Sequence, residues 1–83
     1  MNQPLAYVRE VLSLYTDRSD TGKKIYAKIE NGSYKTEESF VRDLSQKEID
    51  FLNDILDEEI QYAKNEQDEK RAAQLNEVYE LLF

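Results

Sequence analysis

The fold of this chain is decided by residues 44–64, LSQKEIDFLNDILDEEIQYAK. The segment begins with a helix-start signal, because the Ser45 side chain can accept from the N–H of Glu48 while the Glu48 side chain reaches back to the N–H of Ser45. The spacing of the apolar residues that follow predicts a helix from Gln46 to about Lys64. These residues span about half of the helical wheel, which is wide enough to contact two other elements. They are Ile49, Phe51, Leu52, Ile55, Leu56, Ile60, Tyr62 and Ala63.

The opposite side of this predicted helix carries acidic side chains. Asp50, Asp54 and Asp57 recur at spacings of four and three residues, and Gln61 continues the series. Neighbouring like charges on a helix cost a few tenths of a kcal/mol each. The three aspartates therefore form a candidate docking surface for a basic partner, and the alternative is an ordinary solvated face.

Residues 65–68, Asn-Glu-Gln-Asp, interrupt the apolar pattern. We expect a turn there, with Gln67 or Asp68 capping a last helix, so that the chain ends in an antiparallel helical hairpin. The alternative is one long helix that crosses the polar stretch. The last helix is expected to bury its apolar residues, which are Ala72, Leu75, Val78, Tyr79 and Leu82. Because it ends in Leu81-Leu82-Phe83, we expect the C-terminus to be docked, and the alternative is a free apolar peptide that inserts into a partner.

Glu59 and Arg71 differ from their neighbours because each lies on the apolar side of its predicted helix. An unpaired carboxylate is costly to bury, so Glu59 needs a partner. The two residues are at similar distances from the predicted turn, and an antiparallel hairpin brings them level within about one helical turn. We predict a structural ion pair between Glu59 and Arg71, which a tyrosine hydroxyl could join. The alternative is a carboxylate tuned for a functional site.

The first half of the chain predicts three shorter helices. Pro4 suits the start of the first, whose apolar residues recur at helical spacing up to Tyr15. A second helix is expected from about Asp20 to Glu30, and Thr36 begins a third, with acidic residues in its first turn. Asn31-Gly32 leaves two interpretations open, because this dipeptide favours both a left-handed helix end and the turn of a β-hairpin.

A loop in the first half matches the start of a calcium-binding EF-hand loop; its sequence is Asp17-Arg18-Ser19-Asp20-Thr21-Gly22. The match fails further on, because the ninth position holds Ile25 and the twelfth holds Lys28 where a bidentate Glu is needed. We therefore expect no metal site there, and we expect Ser19 or Asp20 to cap the second helix.

The composition restricts the classes of function. The 83 residues contain no cysteine and no histidine, which removes thiolate chemistry and the commonest general base and metal ligand. The net charge is −7, and this acidic balance argues against nucleic-acid binding, which needs clustered basic groups. One basic cluster exists, and we interpret it as a solvated face, with a phosphate-contacting patch as the alternative. It consists of Arg18, Lys23, Lys24 and Lys28.

Two C-terminal segments carry a resemblance to a known family: residues 58–68, EEIQYAKNEQD, and residues 75–83, LNEVYELLF. The stretches Tyr7-Val8-Arg9-Glu10 and Gly32-Ser33-Tyr34 are compatible with it. In these segments the chain resembles a family of small Bacillus sporulation proteins, which are sigma-G-dependent and expressed in the forespore. The resemblance implies a forespore location and a role in sporulation, and no catalytic or binding residue carries over from it.

We therefore predict a single all-α domain over residues 1–83, a compact bundle of four or five helices. No apolar run is long enough to span a bilayer, and we expect a cytoplasmic protein without membrane contact. The expected function is that of a non-enzymatic acidic protein that acts by binding another protein, for which a basic protein is the candidate. We expect a monomer or weak homodimer with no catalytic, cofactor-binding or metal-binding residue. Two alternatives stay open: a self-assembling structural spore protein, and an acidic DNA mimic that occupies a nucleic-acid-binding partner.

Overall fold

Five α-helices and one short 3₁₀-helix build the fold, in a computed structural model that describes residues 2–83. No strand occurs within those residues, and the prediction of an all-α bundle is confirmed. The helices are α1 (Gln3–Ser13), α2 (Asp20–Asn31), α3 (Glu37–Arg42), α4 (Gln46–Asn65) and α5 (Glu69–Tyr79), followed by the 3₁₀-helix Glu80–Leu82.

All of these helices contribute to one hydrophobic core. The α4–α5 hairpin forms its largest helix contact, α1 packs on α5, α2 lies against α1 and α4, and α3 contacts α5 and the 3₁₀-helix. The resulting molecule measures 31 × 27 × 22 Å. None of the helices in the described part of the chain is long and apolar enough to cross a membrane. The largest fully buried side chains are Phe40, Leu5, Leu12, Ile25, Ile29, Leu52, Leu56 and Leu75.

Each of the five α-helices begins at a side chain that accepts from a backbone N–H of its first turn. This arrangement satisfies one of the N–H groups that have no partner inside the helix. At α4 the full reciprocal capping box forms, as predicted, between Ser45 and Glu48. Ser19 is the cap of α2, and Asp68 is the cap of α5. The complete set of caps is Asn2, Ser19, Thr36, Ser45 and Asp68.

The end of α2 decides between the two interpretations of Asn31-Gly32. Asn31 is the last helical residue, so the hairpin alternative is wrong. The helix end at this dipeptide is confirmed, but it is not left-handed, because Gly32 has extended backbone angles, with φ −85° and ψ 153°. Glycine is needed here for space: a Cβ at this position would lie 2.4 Å from the Tyr34 ring and 2.8 Å from the Lys28 carbonyl oxygen.

The predicted turn between α4 and α5 is confirmed, and the alternative of one long helix is wrong. The Asp68 N–H donates to the Ala63 carbonyl at 2.8 Å, and the Gln67 N–H donates to the Lys64 carbonyl at 3.0 Å. This pair of bonds is the Schellman motif, which needs a left-handed residue after the helix. Gln67 takes that conformation, with φ 60°.

Two predictions of burial are wrong in part. Tyr62, predicted on the apolar side of α4, is 60% exposed, because α2 and α5 cover less than the half-wheel that the sequence makes apolar. A tyrosine ring tolerates this position, since its hydroxyl stays hydrated. Leu82 is buried and docks the last turn as expected, whereas Phe83 is 82% exposed and meets the Tyr79 ring edge-on at 5.0 Å.

Candidate functional site

Three exposed carboxylates on α4 form what we call the acidic face: Asp50, Asp54 and Asp57. They lie on the side of the helix opposite to the buried Leu52, because helical spacing separates the two sets by about half a turn. Gln46 Nε2 donates to Asp50 Oδ1 at 2.9 Å. Within residues 2–83 none of the three aspartates forms a salt bridge, so their charges face solvent.

The acidic face lies in the most negative part of the sequence. Helix α4 holds six acidic and two basic residues, a net charge of −4, and residues 36–83 hold fourteen acidic and five basic residues, a net charge of −9. Clustered charge of one sign attracts oppositely charged partners and raises their association rate. This arrangement can therefore attract and orient a basic surface.

The predicted partners Glu59 and Arg71 lie together in the structure, although a third residue makes the shorter contact. Arg71 Nη2 is 3.6 Å from Glu59 Oε1, and Arg71 Nη1 is 2.7 Å from Glu10 Oε1 on α1. The third member of the cluster is thus Glu10, and it takes the place suggested for a tyrosine hydroxyl. The hydrogen bond to Glu10 raises the pKa of the Arg71 guanidinium, while burial acts against this rise. The cluster ties α1, α4 and α5 together, which is a structural role.

Glu48 is the centre of a second polar cluster, which the sequence revealed only in part. Its side chain is 8% exposed, and its Oε1 accepts from Lys28 Nζ at 2.6 Å and from the Ser45 N–H at 2.8 Å. Lys28 Nζ also donates to the Asp43 carbonyl at 2.8 Å. Burial opposes the charged form of Glu48, but the hydrogen bonds from Lys28 and Ser45 outweigh it and lower the pKa of the carboxyl.

Tyr34 extends this cluster towards the loop before α3. Its hydroxyl donates to Asp43 Oδ2 at 2.9 Å, and its ring packs edge-on against Phe40, with 5.4 Å between the ring centroids. Burial, together with the hydrogen bond to Asp43, raises the pKa of the Tyr34 phenol. Lys28 and Tyr34 therefore hold α2 and the following loop against the corner between α3 and α4.

The loop that matches the start of an EF-hand acts as a helix start. Ser19 Oγ accepts from the Gly22 N–H at 3.1 Å, which is the capping role expected from the sequence. The described residues, 2–83, contain no group of three or more Asp, Glu, His or Cys side chains placed to hold a metal ion. The polar residues described above thus lie on the acidic face, in two clusters that join helices, or at a helix cap.

Comparison with known proteins gives two matches over the full length. A family model described as minor curli fiber component A matches residues 1–83. A protein of Bacillus subtilis described as a sigma-G-dependent sporulation-specific SASP protein is 49% identical over 83 residues, covering 100% of both chains. The two descriptions differ, and the second agrees with the resemblance found in residues 58–68 and 75–83. No solved structure matches the chain.

Proposed function

The chain belongs to the family of the sporulation-specific Bacillus subtilis relative, and on this premise we propose that it acts in the forespore by binding a basic protein through its acidic face. The observation that carries this proposal is the set of three exposed carboxylates, Asp50, Asp54 and Asp57, on the longest helix. The name of the relative supports the setting in sporulation. The proposed role is one of binding and includes no catalysis.

The geometry of the acidic face specifies the kind of partner. Asp50 and Asp57 are seven residues apart, which corresponds to about 10 Å along a helix. A partner helix with Lys or Arg at matching spacing can meet all three carboxylates at once. Each exposed ion pair contributes about 0.2–1 kcal/mol, so the face supplies steering and selectivity in addition to modest affinity.

Charge reversal tests the proposal. The triple variant Asp50→Lys, Asp54→Lys, Asp57→Lys is expected to keep its helical fold, because the three side chains are exposed and form no salt bridges within residues 2–83. It should lose the basic proteins that the unmodified protein captures from sporulating cells, measured by quantitative mass spectrometry.

A matched control makes the same charge change elsewhere: Asp17→Lys, Glu69→Lys, Glu77→Lys, at three other exposed positions. This control should still capture the same proteins, and added salt should weaken their binding. Capture of the same basic proteins by the acidic-face variant would contradict the proposal, and so would equal loss in the control.

Self-assembly is a second candidate function, which the description of the matching family model favours because it names a fibre component. Among residues 2–83, three large apolar side chains are exposed and could contact a second copy: Leu14 at 57%, Tyr62 at 60% and Phe83 at 82%. Sedimentation velocity separates this candidate from the first, because self-assembly predicts a species heavier than the monomer.

A further inference from the structure

A cleft of about 440 Å³ lies between α2 and the N-terminus of α4. Three lysines from two helices line it: Lys24 and Lys28 from α2, and Lys47 from α4. The hydroxyl-bearing residues Thr21 and Ser45 also line the cleft, together with the carboxylate of Glu48. Its wall therefore carries a formal charge of +2 in a protein whose net charge is −7.

Two of these lysines are available to a ligand. The Glu48 carboxylate is neutralised by Lys28, whose Nζ is 2.6 Å away, and also accepts from the Ser45 N–H. Lys24 and Lys47 are exposed and form no salt bridge in the part of the chain from 2 to 83. Two lysines without a salt bridge in residues 2–83 thus line one cleft from two helices, and the carboxylate of Glu48 in the same lining is already paired with Lys28.

Backbone and hydroxyl donors add to this charge. Ser45 caps the 20-residue helix α4, and the first N–H groups of a helix have no partner within it. The hydroxyls of Thr21 and Ser45 each supply an O–H donor as well as acceptor lone pairs. An anion in the cleft would meet lysine charge, hydroxyl donors and the positive end of α4 together.

We propose that this cleft binds the phosphate group of a small phosphorylated molecule, with Lys24 and Lys47 as its charge partners. A phosphate monoester carries nearly two negative charges at neutral pH, which matches the two unpaired ammonium groups. Lysine binds phosphate as a point charge and needs no planar, two-bond geometry. A small ligand fits better than a nucleic-acid strand, because a strand carries a phosphate at every nucleotide and would extend beyond the cleft over a protein whose net charge is −7.

An NMR titration with inorganic phosphate and with phosphoserine, at constant ionic strength, tests the site. Both probes are expected to give saturable shifts of the backbone amide signals of Thr21, Lys24, Gln46 and Lys47. The double variant Lys24→Ala, Lys47→Ala should raise the half-saturating concentration by about tenfold or more. The control Lys64→Ala, Lys70→Ala removes the same charge from two other exposed positions and should change it by less than about twofold.

Several outcomes of this titration would contradict the proposed phosphate site. Shifts that grow linearly without saturation, or that both double variants weaken equally, would show general attraction of ions to the surface. Tighter binding of single-stranded oligothymidylate through the same lysines would replace the small-molecule ligand with a nucleic acid. Thermal melts check that each variant is still folded. The single variant Lys24→Glu repeats the phosphate titration with Lys47 unchanged.

Discussion

Glu48 stabilises two features of the fold, the start of α4 and the position of α2. The capping box uses its carboxylate to hold the Ser45 N–H, and the same oxygen also accepts from Lys28 on α2. A carboxylate that is only 8% exposed needs such partners, because desolvation otherwise favours its neutral form. The residue that starts α4 thereby also fixes where α2 lies.

Replacing Glu48 tests this double role through its dependence on pH. The pKa of Glu48 is lower in the folded protein than its ordinary value of 4.5, so the folded state binds fewer protons than the unfolded state. Its contribution to stability is therefore complete above about pH 4.5 and is lost as the pH falls through the lowered folded-state pKa. We expect Glu48→Gln to reduce the free energy of unfolding by about 1–3 kcal/mol at pH 7.

Urea unfolding of both proteins from neutral to strongly acidic pH measures this effect. The difference between them should shrink as Glu48 of the unmodified protein becomes protonated. Glu58→Gln, an exposed position on the same helix, serves as the control and should change stability by less than about 0.5 kcal/mol. A difference that stays constant over the whole pH range would show that the charge of Glu48 is irrelevant.

The Arg71 cluster predicts an unequal effect of removing its members. Glu59→Ala leaves Arg71 bonded to Glu10 at 2.7 Å, so we expect a loss of only about 0.5–1.5 kcal/mol. Arg71→Met leaves Glu59, whose side chain is 21% exposed, without a cation and beside another carboxylate, and should cost about 1–3 kcal/mol. The double variant should lose less than the sum of the two, as measured by urea midpoints. Strict additivity would show that Glu59 and Arg71 are not coupled.

Helix ends in this protein are set by local signals. A side chain caps each of the five α-helices, and the hydrogen bond at each cap joins residues three positions apart. One helix end lacks the residue type that its backbone geometry favours. In the turn after α4, Gln67 occupies the left-handed position that glycine usually fills in a Schellman motif. The hairpin forms in spite of this residue because packing between α4 and α5 holds it.

The turn therefore offers a stabilising substitution. A residue with a Cβ costs about 1–2 kcal/mol in the left-handed region, while glycine loses about 0.5–1 kcal/mol more conformational entropy on folding. We expect Gln67→Gly to gain about 0.5–1 kcal/mol, which for a domain of this size raises Tm by a few degrees. Gln67→Ala is the control and should have nearly the Tm of the unmodified protein. An unchanged or lower Tm for the glycine variant would contradict the proposed strain.

Charge is distributed unevenly over the whole molecule, and this distribution bears on self-assembly. The net charge of −7 makes copies of the chain repel one another, whereas the exposed Leu14, Tyr62 and Phe83 would favour contact between them. We expect repulsion to prevail, because these three side chains lie in separate parts of the chain, directly after α1, on α4 and at the C-terminal end, and each is a single exposed residue.

Sedimentation velocity at tens of micromolar should accordingly give one species with the 9.8 kDa mass of the monomer. Raised salt screens the repulsion, so a monomer mass at high salt is the stricter test of this prediction. A dimer or larger species that disappears in the variant Tyr62→Ser, Phe83→Ser would favour the second candidate function over binding of a basic protein.

The sequence by itself determined the helices and the positions of the three aspartates on one exposed side of α4. Those features follow from apolar spacing and from caps such as Ser45, which act over three or four residues and so are visible in a short window. It also indicated Glu59 and Arg71 as partners, because a short turn limits how two neighbouring helices can align.

Only the tertiary structure decided which distant side chains meet. Glu10 and Arg71 are 61 residues apart, and Lys28 and Glu48 are 20 apart. Both Glu10 and Lys28 look like ordinary solvated charges in the sequence. Packing of α1 on α5 and of α2 on α4 brings them to their partners, and it also leaves Tyr62 uncovered and opens the lysine-lined cleft. Such contacts depend on the relative placement of whole helices, which no local pattern of residues encodes.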